Sequence, residues 1–87
     1  MNTEMAEILA LQALGWLAGN GDGLDRFLSL SGMDAGSLRA SAGTPDMNVA
    51  VLDFLLGHED LLMPFCECAS VSPRDVHLAR HRLSGEA

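Results

Sequence analysis

A chain of 87 residues, 48% apolar and 20% charged, is too short for two independent cores and too apolar to stay disordered, so we expect one domain spanning 1–87. Its five cations are all arginine, and the formal net charge is −7, which excludes a body that draws in phosphate backbones. Two arginines face ten acids in residues 1–73, and only residues 74–87 lean basic.

In chain order, Thr3 is a candidate cap for a first helix that runs to Ala18 and stops at Gly19-Asn20-Gly21. Asp22 opens a second, closed by Gly32. Asp34 caps a short third, closed by Gly43. Thr44-Pro45-Asp46 combines an N-cap, a proline at the first helical position and an acid at the positive dipole end. The fourth helix that follows reaches Leu56. A fifth covers His58–Ala69, where Pro64 calls for a late start near Asp60 or a bend. Ser72-Pro73-Arg74-Asp75 is a capping-box start for a sixth, running towards Leu83. No stretch alternates as a strand does. The expected fold class is therefore all-α, five or six short helices in one compact bundle.

The first and fourth helices are apolar nearly all round, which marks them as the core pair. A mean hydropathy of +0.19 is high for so small a body. Some apolar surface should stay exposed, favouring a homodimer or a protein partner.

Shifting the chain by 38 residues lays Leu14, Leu17, Gly19, Asp22, Leu24 and Phe27 on Leu52, Leu55, Gly57, Asp60, Leu62 and Phe65. Trp16 falls on Phe54, and the caps Asp34 and Ser72 coincide. Caps and helix-ending glycines in register point to an internal repeat, 5–43 and 44–83, and so to two related three-helix halves.

Leu14-Gly15-Trp16-Leu17, Phe27-Leu28-Ser29-Leu30-Ser31-Gly32-Met33-Asp34, Val51-Leu52-Asp53-Phe54-Leu55-Leu56-Gly57 and Val71-Ser72-Pro73 together resemble a family of short bacterial all-helical proteins catalogued as a domain of unknown function. The resemblance spans nearly the whole chain. It implies an all-α fold and supplies no activity, cofactor or site residue.

No uncharged run approaches the ~20 apolar residues of a membrane span, and Met1-Asn2-Thr3-Glu4 lacks the start of a signal peptide. Cys66 and Cys68 are too close for an ordinary bridge, so a reducing cytoplasm is expected.

One stretch carries ligand-type chemistry. His77 and His81 sit four apart on one helical face, and with Cys66 and Cys68 they form a candidate zinc set. A Cys-x-Cys pair on a helix points to two sides, however, and its spacing fits no common finger. The bland reading is buried thiols and solvated histidines. The same stretch has the rhythm of a helix-turn-helix, with Arg74, His77, Arg80 and His81 on the outer face of the sixth helix as a candidate nucleic-acid or partner face. Against it stands the charge of the body. A thiol nucleophile with His58, His77 or His81 as base lacks an oxyanion loop, Glu59-Asp60 sit where acids favour a helix dipole, and Gly19–Gly23 lacks the lysine and strand of a phosphate loop. No catalytic residue and no cofactor are assigned. The expected function is a non-enzymatic protein-interaction or regulatory domain, with a helix-turn-helix-like nucleic-acid binder or a small zinc protein as alternatives, and any site is expected between Cys66 and Arg82.

Overall fold

A computed structural model describes residues 1–85 and, among them, six helices and no strand. These are α1 (Thr3–Ala18), α2 (Gly21–Ser31), α3 (Ala35–Ser41), α4 (Pro45–Leu56), α5 (Glu59–Ala69) and α6 (Pro73–Leu83). The start signals act as read at three sites. Asp34 accepts from the Ser37 N–H at 2.8 Å and Thr44 from Met47 at 3.3 Å. Ser72 and Asp75 close a reciprocal capping box, at 3.2 and 3.0 Å.

Two caps lie elsewhere than expected. Asn2, not Thr3, caps α1, its side-chain oxygen accepting from Met5 N–H at 2.8 Å; the Thr3 hydroxyl instead accepts from Arg82 Nε at 3.2 Å. Asn20, not Asp22, opens α2 by accepting from Gly23 N–H at 3.0 Å. Both asparagines precede another cap-competent residue, and an amide oxygen serves as well as a carboxylate. α5 begins at Glu59, between the His58 and Asp60 starts expected for it, and runs on through an exposed Pro64. There the ring withholds the N–H that the Asp60 carbonyl would otherwise receive.

α1, α4 and α6 pack against one another as the centre of the molecule. Their apolar stripes bury Leu9, Leu17, Val51, Leu52, Leu55, Val76 and Ala79. The expected pair of α1 and α4 is thus a trio, because α6 turns Val76 and Ala79, both 0% exposed, into the seam between them. Two edge-to-face aromatic contacts tie the outer helices in, Phe27 to Phe54 with centroids 5.1 Å apart and Phe65 to Trp16 at 5.8 Å.

The 38-residue shift carries the bounds of α2 onto those of α5. It carries Gly19 (φ −85°, ψ −3°) onto Gly57 (φ −87°, ψ −4°), and the left-handed Gly32 onto the left-handed Ser70. The contact Phe27–Phe54 maps onto Phe65–Trp16. The correspondence stops at α3, which ends after 7 residues where α6 continues for 11.

Candidate functional site

The stretch from Cys66 to Arg82 is divided rather than gathered. On α5 the Cys66 side faces the core and the Cys68 side faces solvent. Burial pushes the Cys66 thiol up from its ordinary value, with the nearby Asp75 charge adding to the effect, so it is a poor nucleophile and a poor metal ligand. His77 and His81 are exposed on α6. Among the described residues, no three His, Cys, Asp or Glu side chains converge to hold a metal ion.

Arg74, His77 and His81 share the solvent face of α6, with Leu78 between them. Arg80 does not join them. Its Nε donates to Asp53 Oδ1 on α4 at 2.7 Å, a pair 27 residues apart in sequence that no local pattern signals. Arg82 turns back to Thr3 in the same way. Two of the three arginines in the basic tail are therefore engaged with the body. α6 itself is wedged between α1 and α4 rather than standing proud of the bundle, as a recognition helix does.

His58 precedes α5 and serves the fold. Its ring stacks on Phe54 with centroids 4.3 Å apart, and Nδ1–H donates to the Phe54 carbonyl at 2.7 Å. Asp60 receives Arg26 Nη2 at 2.6 Å, and that guanidinium holds its carboxyl below the usual carboxylate range.

A different feature stands at the opposite end of the chain. α1 buries Ala6, Leu9, Ala10, Ala13, Leu14 and Leu17 but leaves Met5, Ile8 and Leu11 at 57%, 50% and 47% exposure. Beside Leu11 this face opens into an apolar cavity of about 450 Å³ between α1, α2 and α3, lined by Leu11, Leu14, Gly15, Ala18 and Leu38, with Arg39 on its wall. Towards the N-terminus, Met1, Met5 and Ile8 line a second hollow of about 290 Å³ with Val71 of the α5–α6 turn. Reading α1 as a core helix on every side hid this face. The mean hydropathy was the one signal that some apolar surface stays open, and it did not say where.

The architecture is that of a small all-α bundle with one open apolar face on α1, and no helix among the described residues is long and apolar enough to cross a membrane. Over residues 3–86 the chain matches the family described as protein of unknown function (DUF3572), and it belongs to that family. No curated protein and no solved structure matches it.

Proposed function

We propose that this is a non-enzymatic interaction domain whose working surface is the open face of α1 and the adjoining cavity. The observation that carries the reading is the exposure of Met5, Ile8 and Leu11 on one side of a helix whose other side is core. Scattered surface leucines need no explanation, but three large apolar side chains along one helix, joined to apolar hollows at both ends, form the kind of patch that marks a docking site. Reactive side chains do not cluster beside it. The exposed Cys68 and the thiol of Cys66 suit a reducing compartment, in keeping with a cytoplasmic setting.

The same reading takes the chain as two related halves, 5–43 and 44–83. It is supported by the matching bounds of α2 and α5 and by the exchanged aromatic contacts.

The test is a comparison of tagged wild type with the Ile8→Asp, Leu11→Asp double variant in quantitative copurification. Both positions are half exposed, so the variant is expected to keep the helical signal of wild type, which circular dichroism checks. Partners present with wild type and missing with the variant support the reading. Identical recovery with both defeats it.

A further inference from the structure

We propose that the partner of this face is a second copy of the chain, seated through antiparallel α1 helices. The inference rests on the interaction-domain reading and names its occupant.

Along α1, Glu4, Ile8, Leu11, Gly15 and Ala18 recur at intervals of four, three, four and three. This spacing keeps one seam of a helix turned towards another helix. All five are exposed. Gly15 is the informative member. A glycine inside a helix weakens it relative to alanine, and here a Cβ would meet nothing within 4 Å. Nothing in the single chain uses the missing side chain; a helix laid across the face does.

The shape of the gap argues for a helix as occupant. α6 continues for 11 residues and lays its last turns on α4, where Arg80 reaches Asp53. α3 starts at the register-equivalent position but ends at Ser41; Ala35, Leu38 and Arg39 along it, with Ala42 at its end, face Leu11, Gly15 and Ala18 of α1 across the cavity, so the gap is a trough between two helix faces.

Orientation follows from size and charge. A parallel pair sets Gly15 against Gly15, leaving a void, and crowds Glu4 and Glu7 against their own copies. An antiparallel pair centred near Leu11 brings Ile8 of each copy onto Gly15 of the other, filling the notch twice. It also carries Glu4 and Glu7 to the turn where Arg39 lines the cavity. None of these three charges takes part in an ion pair among the described residues. One surface thus supplies both knob and hole and both signs of charge, as a self-complementary interface requires.

Sedimentation equilibrium from micromolar to millimolar protein tests this. Wild type is expected to rise from the 9.2 kDa monomer mass to twice that value. Gly15→Leu is expected to remain monomeric while its Tm in dilute solution rises by about 3 °C, since leucine is the better helix former and the site is open. Arg39→Glu, and Glu4→Arg with Glu7→Arg, should each weaken pairing by roughly tenfold, because symmetry counts every lost pair twice. The triple combination should restore pairing to within about threefold of wild type. A wild type that stays monomeric to about 1 mM, a Gly15→Leu that pairs as well as wild type, or a charge swap without recovery each overturns the proposal. Should wild type prove monomeric while the Ile8→Asp, Leu11→Asp comparison still loses a partner, the self-pairing fails and the interaction reading stands. If that comparison is also flat, both fail.

Discussion

The two thiols of this chain sit two residues apart and live in different media. Cys66 is 4% exposed against the core, and its thiol is pushed up first by burial and then by Asp75; Cys68 faces water. Since the thiolate is the reactive form and must also be reached, a disulfide reagent near neutral pH should titrate one thiol per native chain. The second should appear only in denaturant. Two fast thiols in the native protein would contradict the placement of Cys66. At Asp34 the link runs to stability. The Ser37 backbone N–H, then the Ser37 side chain, hold its carboxyl below the ordinary 3.8. A carboxyl lowered in the folded state stabilises above its unfolded value and loses that contribution as pH falls past it. The urea-midpoint gap between wild type and Asp34→Ala should therefore be level from about pH 5 to 7 and close as pH drops below about 3.8. A gap that persists unchanged at low pH would show that the cap acts without its charge.

At the scale of elements, two glycines inside helices separate propensity from packing. Gly15 in α1 has open space where a Cβ would go, whereas at Gly23 in α2 a Cβ would meet Leu17 Cδ1 at 3.1 Å, Leu61 Cδ2 at 3.2 Å and the capping Asn20 Oδ1 at 3.3 Å. Gly15→Ala should stabilise dilute protein by about 0.5–1 kcal/mol. Gly23→Ala should destabilise it by about 1 kcal/mol, because α1 and α5 and the cap must all give way at once. Chemical denaturation of the two variants checks the opposite signs. Caps of this kind were the most legible part of the sequence. Thr44-Pro45 and Ser72-Pro73 hold all the needed chemistry within four residues, so local reading finds them. Asn20 escapes local reading because Gly19-Asn20-Gly21 reads as the stop of α1 and Asp22, two residues on, offers a second cap. The Arg80–Asp53 pair was beyond reach, since it depends on how α6 lies across α4. The cavity beside Gly15 was equally hidden, because it forms between the faces of α1 and α3, helices that the whole of α2 separates in sequence.

At the scale of the whole molecule, the central trio draws on the start, the middle and the end of the chain. α1, α4 and α6 each contribute residues with no exposure, among them Leu17, Val51, Leu55, Val76 and Ala79. The sequence marked the all-apolar α1 and α4 as core and turned Val76 and Ala79 of α6 inward; that this stripe seats between both helices depends on how the three lie across one another, which no local pattern gives. Small residues at Val76 and Ala79 let α6 sit close to both neighbours, and that closeness joins the two ends of the chain into one cooperative unit. A domain of this length has only about 5–10 kcal/mol of stability in hand. Exposing the α1–α4 seam by removing residues 73–87 should therefore unfold the remainder, not merely subtract one helix. Far-UV circular dichroism of the 1–72 fragment is expected to show loss of most helix. In the intact chain, Trp16 fluorescence and helical signal should melt in a single coincident transition. Leu55→Ala should move that transition as a whole by about 2–5 kcal/mol, with both probes shifting together. A 1–72 fragment that keeps the helical content of α1 to α5, or two separated transitions in the intact chain, would mean that the halves hold together without α6.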